Sequence, residues 1–340
     1  MTSPVPQSAL VYATTDDGLR LPVIDITHPA FAVPDDAASV AALDGAVRDA
    51  QRRYARVPRF IMRFLFRRAA RRSQLLADIV NVGAKAGFLS GLTTYIMKLG
   101  AQNLPPPFTT DVDRRMASSP SILALRLRLQ QTAQLLAQGL EPLLTMNSAA
   151  PLALINIGGG PAIDSLNALI LLRRRSAALL ARRPIAVNVL DLDPAGPRFG
   201  AAALAALAAE GQPLDGLDIA FTHQVYDWNA PVLLMDLVQR AVSQSAVVAA
   251  SSEGALFEYG SDDAIVANLT ALHGAGRGAK VVVGSVTSAD PSHRQSVLNS
   301  GFKLMPRGLD GFRPLAERAG YRIARSETTP LGDQVLLYPA

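Results

Sequence analysis

Cysteine is absent from this 340-residue chain, and histidine is scarce. The lack of cysteine excludes disulfides, thiol nucleophiles and the cysteine-ligated zinc and iron–sulfur sites. The four histidines, His28, His223, His273 and His293, are widely spaced and form no metal-binding pattern. We therefore expect chemistry that uses neither a thiol nor a bound metal.

The chain also starts without a recognisable export signal. The opening residues, MTSPVPQSALVY, have neither the basic nor the apolar part of a signal peptide, which predicts a cytoplasmic location. The long apolar stretch at residues 79–101 is interrupted by Lys85, Lys98 and four glycines. Since a membrane-spanning helix needs about 20 predominantly apolar residues, we interpret this stretch as buried helix and expect no membrane association.

Positive charge is concentrated in residues 52–72, which hold nine arginines interleaved with apolar residues at helical spacing. One interpretation is a basic amphipathic helix that binds an anionic membrane or RNA. The other, which we favour, is a helix with one buried apolar stripe and a solvated arginine face. No RNA-binding motif accompanies the run, and Pro58 interrupts its pattern. We expect a small-molecule substrate rather than nucleic acid, and we leave a homodimer open.

The chain divides into two parts with different patterns. Up to residue 146 the apolar spacing is helical, and from residue 147 short apolar runs alternate with helical segments. The expected strands are residues 152–158, 185–193, 217–223, 245–251 and 279–286, followed by two closely spaced strands that must pair antiparallel. The sequence predicts an α/β fold at 147–340, a doubly wound, mostly parallel, seven-stranded Rossmann-like sheet with an antiparallel C-terminal strand. Residues 1–146 are predicted to form a helical lid or substrate domain.

A glycine-rich turn follows the first of these strands, in the stretch INIGGGPAIDSLNAL at residues 155–169. A phosphate-binding P-loop would need a Lys-Ser or Lys-Thr pair after the last glycine, and the stretch has none. A dinucleotide site needs a third small residue, but Ile163 stands at that position. The remaining candidate is the Gly-x-Gly turn of S-adenosylmethionine (SAM) sites.

Three further stretches accompany this turn. VNVLDLDP at residues 187–194 ends a strand in acidic residues, and HQVYDWN at 223–229 places a polar residue and two aromatics after the next strand. SSEGALFEYG at 251–260 follows the fourth strand. In this order, and together with INIGGGPA, they resemble the class I SAM-dependent methyltransferases over roughly residues 150–340.

The resemblance implies a SAM site. Asp191 matches the carboxylate that binds the ribose hydroxyls, and Asp227 matches the polar residue that recognises the adenine. The implied cofactor-binding residues are Gly158, Gly159, Gly160, Asp191, Asp193, Tyr226, Asp227, Trp228, Ser251 and Ser252. Asp193 also fits a helix cap or turn, and Trp228 also fits a core position.

The candidate catalytic residues lie in the stretch after the fourth strand. Glu253 is the candidate general base, and Tyr259 is the candidate hydroxyl near the substrate. That stretch lacks the Asn/Asp-Pro-Pro-Tyr motif of amino-group methylation, and no Asp-Asn pair of metal-dependent catechol methylation follows the fifth strand. The N-terminal helices would cover the site, with Phe88, Tyr95 and Met97 as candidates for lining it.

The expected function is metal-free methyl transfer from SAM to a small-molecule acceptor of secondary metabolism. A first alternative is intramolecular cyclisation of SAM to azetidine-2-carboxylate and methylthioadenosine, the reaction of the azetidine-2-carboxylate synthases of similar fold. A second alternative is an RNA methyltransferase component or a non-catalytic subunit with a SAM fold.

Overall fold

A computed structural model describes residues 9–79, 89–274, 276, 280–291, 293–294, 297 and 302–340. The strands are β1 (Tyr12–Thr14), β2 (Arg20–Pro22), β3 (Leu152–Ile157), β4 (Ile185–Leu190), β5 (Ile219–Gln224), β6 (Val247–Ser252), β7 (Lys280–Thr287), β8 (Tyr321–Thr329) and β9 (Gly332–Pro339). The helices are α1 (Ala37–Ala55), α2 (Arg59–Ala70), α3 (Gln74–Asp78), α4 (Gly91–Lys98), α5 (Asp111–Ala117), α6 (Pro120–Met146), α7 (Ile163–Arg175), α8 (Ala195–Leu207), α9 (Val232–Ser243), α10 (Leu256–Tyr259), α11 (Asp262–Gly274) and α12 (Gly308–Arg318).

Seven strands form the main sheet in the order β5-β4-β3-β6-β7-β9-β8. The strands from β3 to β7 pair in parallel, and β9 is antiparallel to both β7 and β8. This topology confirms the predicted fold class. Because β3 has β4 on one side and β6 on the other, the strand order reverses at β3. The carboxyl end of β3 is therefore where a doubly wound sheet binds its ligand.

Side chains of the central strands alternate between two hydrophobic layers. In β3, Leu152 and Leu154 belong to one core, and Ala153 and Ile155 belong to the other. This alternation with a period of two residues places helices on both faces of the sheet. The predicted strands are found, with ends shifted by up to three residues; β4, for example, ends at Leu190 rather than at residue 193.

Helix α6 packs directly on the sheet and ends at Met146, next to the predicted domain boundary. A Cβ atom on Gly139 would lie 2.7 Å from side-chain atoms of both Val281 and Leu336, so the helix approaches the sheet closely at this glycine. The Tyr338 hydroxyl donates a hydrogen bond to the Gly139 carbonyl over 3.0 Å. The helical part therefore shares one hydrophobic core with the sheet.

Among the side chains that the structure describes, the arginine-rich segment does not show the buried apolar stripe that we expected. Helix α2 exposes 74 % of Phe60 and 64 % of Phe64, and Leu65 and Phe66 are also exposed. It packs against the five-residue helix α3, which offers little surface to cover an apolar face. In the described ranges, no helix combines the length and apolarity required to cross a bilayer.

Candidate functional site

The glycine turn connects β3 to α7 at the point where the strand order reverses. Gly158 and Gly160 have φ angles of +68° and +58°, which glycine adopts without strain. The Gly159 N–H donates to Asn156 Oδ1 over 3.0 Å, and the Gly160 N–H donates to Asp191 Oδ2 over 2.9 Å. Side chains from β3 and from the end of β4 thus hold the turn in place.

The lack of side chains in this turn lets other elements approach it. A Cβ atom on Gly160 would lie 2.7 Å from the Cα atom of Gly91, so the start of α4 contacts the turn through two glycines. A Cβ atom on Gly158 would lie 3.1 Å from the ring of Trp228. The glycines therefore let helix α4 and an aromatic ring approach bare backbone.

A cavity of about 280 Å³ opens between α4, α6 and the carboxyl ends of the central strands. The residues predicted from sequence that line it are Gly158, Gly159, Asp191, Asp193, Tyr226, Trp228, Glu253 and Tyr259. Tyr95 and Met97 line it as well, and Phe88 lies outside the described residues. The structure therefore brings together most of the side chains that the sequence singled out.

Asp191 and Asp193 follow the carboxyl end of β4. Asp191 Oδ2 accepts the Gly160 N–H, and its Oδ1 accepts the Asp193 N–H over 2.9 Å. Burial raises the pKa of Asp191. Each carboxylate oxygen has two lone pairs, so both retain capacity for a ligand hydroxyl. Asp193 also closes a local turn before α8, where its Oδ1 accepts the Ala195 N–H over 3.0 Å.

The aromatic pair after β5 is held by one asparagine. The Tyr226 hydroxyl donates to Asn268 Oδ1 over 2.5 Å, and Asn268 Nδ2 donates to the Trp228 carbonyl over 2.7 Å. Tyr226 is buried, whereas Trp228 is half-buried and faces the glycine turn. Both rings are thereby positioned at the cavity wall.

Four predicted site residues do not line the cavity: Gly160, whose N–H is bound by the Asp191 carboxylate, and Asp227, Ser251 and Ser252. Asp227 is exposed, and its Oδ1 accepts hydrogen bonds from Asn229 in a local turn. Ser251 is buried near Asn156, and Ser252 donates to the Ile157 carbonyl over 3.0 Å. The two serines belong to strand β6 and support the turn from within the sheet, while the loop after β6 supplies the lining.

A buried ion network forms one wall of the cavity. Lys98 Nζ lies 2.5 Å from Glu253 Oε2, and Arg128 Nε lies 2.6 Å from Glu253 Oε1. Arg128 also contacts Glu258 at 3.0 Å. All four residues are buried, and three of them were missed by the sequence analysis because they come from α4, α6 and α10. An isolated lysine or arginine in a helical pattern carries no signal of such pairing.

The network determines the protonation of Glu253. Burial acts to raise the pKa of this carboxyl, but Arg128 and Lys98 outweigh it and lower the pKa to about 2. A carboxylate held by two cations is a poor proton acceptor, so the geometry does not favour the general-base role predicted for Glu253. Burial raises the pKa of Tyr259, whose phenol therefore stays protonated and can donate a hydrogen bond rather than take a proton.

Asp164 also lines the cavity, one residue into α7. Its Oδ1 accepts a hydrogen bond from Asn156 Nδ2 over 2.8 Å. Burial and the nearby Glu253 raise its pKa to about 6, against the opposing effects of the Ser251 hydroxyl, the Ser165 backbone N–H and Lys98. The sequence gives no signal for this role, because an acidic residue in the first turn of a helix is common for reasons of the helix dipole alone.

Within the described ranges, no group of three or more acidic or histidine side chains is arranged to hold a metal ion. No protein-family model matches the chain, and no curated protein matches it.

Solved structures do resemble the chain. The mitomycin 7-O-methyltransferase MmcR is 15 % identical over 65 % of this chain and 57 % of its own length, with a TM-score of 0.38. Human N-acetylserotonin methyltransferase, solved with SAM, is 13 % identical over 64 % of this chain and 56 % of its own length, also with a TM-score of 0.38. A possible exported protein of Bordetella parapertussis is 16 % identical over 92 % of this chain and 99 % of its own length, with a TM-score of 0.49. The chain thus spans little more than half the length of the two methyltransferases. Identities this low carry no argument about function. The fold of this chain is established by its own strand order.

Proposed function

We propose that the protein binds SAM in this cavity and transfers its methyl group to a small-molecule acceptor without a metal ion. The observation that supports this most is the meeting of the glycine turn with Asp191 at one cavity wall, where the strand order reverses. The bare backbone of the turn suits the amino-acid end of SAM, and the Asp191 carboxylate suits the ribose. Both then face the same cavity.

The lining residues fit the parts of SAM. Asp191 would accept the two ribose hydroxyls, and Trp228, with Tyr226 behind it, would lie against the adenine ring. The backbone of Gly158 and Gly159 would contact the amino-acid end. Bound SAM supplies an electrophilic methyl group on its sulfonium. The chain itself therefore has to exclude water, align the acceptor and take a proton where one is lost.

The size and cover of the cavity favour a small acceptor. Its volume of about 280 Å³ is near the lower end for small-molecule sites. Residues of α4 and α6 line it on the side away from the sheet. An RNA acceptor is kept as an outcome to be tested with the arginine-rich segment.

Cyclisation of SAM is the second candidate for the same site. It needs no space for an acceptor, and it requires a group that takes a proton from the α-ammonium of SAM. The buried carboxylate of Asp164, which is engaged by Asn156 through only one of its oxygens, is the observation that favours this candidate. The methyl-transfer and cyclisation reactions share the binding site and differ in their products.

Calorimetry with SAM and S-adenosylhomocysteine (SAH) tests the binding site. We expect both to bind, and we expect Asp191→Ala to weaken binding at least tenfold, since it removes an acceptor of charge-assisted hydrogen bonds. The matched control is Asp16→Ala, which removes an exposed carboxylate paired with Arg198 and should leave binding unchanged. Absence of SAM and SAH binding to the unaltered protein would refute the proposal.

Mass spectrometry then separates the reactions. Incubation with SAM alone should leave SAM intact if the protein is a methyltransferase, and a screen of acceptors should then yield SAH. Methylthioadenosine together with azetidine-2-carboxylate would establish cyclisation instead. Salt-sensitive RNA binding that is lost when Arg67, Arg68, Arg71 and Arg72 are replaced would favour an RNA acceptor.

A further inference from the structure

Asp164 holds an unpaired oxygen inside the cavity. The residue is 2 % exposed, and in the described part of the chain its Oδ2 has no hydrogen-bond partner. Its Oδ1 is fixed by Asn156 Nδ2, so the carboxylate has one defined orientation. The Ser251 hydroxyl and the Ser165 N–H lie close enough to the carboxylate to lower its pKa, but neither forms a hydrogen bond to Oδ2. Because an unpaired buried carboxylate oxygen is destabilising, it indicates a partner that arrives with the ligand.

The charges around Asp164 define that partner. Of the ionisable side chains that the structure describes at the cavity wall, two are cations and five are carboxylates. Both cations, Lys98 and Arg128, are paired with Glu253, and Arg128 also contacts Glu258. The wall is therefore left with excess negative charge beside an open acceptor atom. A cationic N–H donor would offset this negative charge and also donate a hydrogen bond to the open acceptor atom.

We propose that Asp164 is the subsite for an alkylammonium group of the ligand and the acceptor of its proton. A metal ion would need several ligands at this point, and the described residues supply no such cluster. A guanidinium group would favour both carboxylate oxygens, and Oδ1 is held by Asn156. A single N–H of an ammonium group fits the one free oxygen. This inference depends on the proposed function, because it names the chemical class of the nucleophile at that site.

The reaction balances with Asp164 as the proton acceptor. Asp164 Oδ2 takes one proton from the ammonium group and leaves a neutral amine. The amine lone pair forms a new N–C bond as the C–S bond of SAM breaks, and the sulfur keeps the bonding electrons. The products are a substituted ammonium and an uncharged thioether, and Asp164 later returns its proton to solvent. Its raised pKa of about 6 keeps the residue ionised at neutral pH, yet more basic than Glu253.

The ammonium group has two sources, and they give different reactions. If it belongs to a separate acceptor, Asp164 assists methylation of an aliphatic amine. If it is the α-ammonium of SAM itself, the same proton transfer prepares cyclisation. Both sources share the alkylammonium chemistry, and binding measurements with different ligands distinguish them.

The test compares Asp164→Asn with the unaltered protein by calorimetry. Asparagine has the same shape and keeps an oxygen for the hydrogen bond from Asn156, so the fold should be retained. The control is Asp333→Asn, since burial also raises the pKa of Asp333 but this residue lies on β9 away from the cavity lining. The probes are SAH and its desamino analogue, which keeps the carboxylate. Butylamine and 1-butanol are then titrated into protein saturated with SAH.

Two results support the proposal. If Asp164→Asn lowers affinity for SAH about 10- to 100-fold but leaves the desamino analogue unchanged, the ammonium is that of the donor. If SAH affinity is unchanged but butylamine binding is lost and butanol binding is not, the ammonium is that of the acceptor. Binding of the ammonium at pH 6 should also release about half a proton in the unaltered protein and none in the variant. The Asp333→Asn variant should match the unaltered protein in every titration.

Two other results overturn an assignment. If Asp164→Asn changes neither SAH nor butylamine affinity and leaves proton release unchanged, Asp164 is not an ammonium subsite, while SAM binding stands. If the unaltered protein binds neither SAH nor its desamino analogue, the proposed function itself fails. Retained binding of the desamino analogue shows that the variant is folded.

Discussion

Replacing Asp164 with asparagine should stabilise the protein at neutral pH while it impairs ligand binding. Burial raises the pKa of this carboxyl from 3.8 to about 6, so the folded state disfavours its charged form. Between these two values the folded protein binds more protons than the unfolded chain. The contribution of Asp164 to the free energy of unfolding is therefore greatest below pH 3.8, falls as the pH rises to about 6, and is constant above that.

The magnitude follows from the size of the shift. A rise of about two units corresponds to a cost of about 2–3 kcal/mol for the ionised form, at about 1.4 kcal/mol per unit. Because Asp164 is 2 % exposed, solvent screening reduces this figure little. The neutral asparagine avoids this cost and retains an acceptor for Asn156. For a chain of this size we expect the midpoint of thermal unfolding at pH 8 to rise by roughly 2–4 °C.

Thermal unfolding at pH 5 and at pH 8 checks this prediction. The gain from Asp164→Asn should be larger at pH 8 than at pH 5, because the unaltered protein is still largely protonated at Asp164 at the lower pH. Saturating SAH should shrink the difference if its ammonium pairs with the carboxylate. A variant that is less stable by the same amount at both pH values would refute the reasoning, since it would show that the ionised carboxylate is already well paired in the fold.

Three further substitutions test the elements that hold the site. Arg128→Met leaves two carboxylates of the ion network without this cation, and we expect a loss of about 3–5 kcal/mol in the free energy of unfolding, measured in urea. Gly160→Ala combines a positive φ with a Cβ atom 2.7 Å from Gly91 Cα, and it should reduce SAH affinity at least tenfold in calorimetry. Tyr226→Phe removes the hydrogen bond to Asn268 and should cost about 1 kcal/mol of stability, with SAH affinity reduced less than threefold. The roles described would be contradicted if Arg128→Met left stability unchanged, if Gly160→Ala left SAH affinity unchanged, or if Tyr226→Phe abolished SAH binding.

The sheet could be predicted because its signals are local. In β3 the residues 152–157 are all apolar except Asn156, which is the pattern of a strand buried on both faces. The short connection between β8 and β9 permits only antiparallel pairing, and the structure has it. The strand ends were less accurate, since the end of β4 depends on where its hydrogen bonds to β3 stop rather than on the polarity of residues 191–193.

The placement of some candidate site residues could be predicted for the same reason. Asp191 follows a strand directly, and parallel strands bring their carboxyl ends to one edge, so its place at the glycine turn follows from the order of elements. Asp227 also follows a strand, but its carboxylate closes a local turn with Asn229. Short polar side chains form such turns readily, and the sequence does not distinguish that use from ligand binding.

The sequence alone therefore determined the sheet, the glycine turn at its centre and the carboxylate beside that turn, because each depends on residues close together in the chain. Tertiary structure decided which charges meet. Lys98, Arg128 and Glu253 lie on separate elements, and only the packing of α4 and α6 over the sheet makes them one buried network. That network lowers the pKa of Glu253, while among the described residues one oxygen of Asp164 has no hydrogen-bond partner. Protonation in a buried site is set by neighbours in space, and those neighbours are distant in sequence.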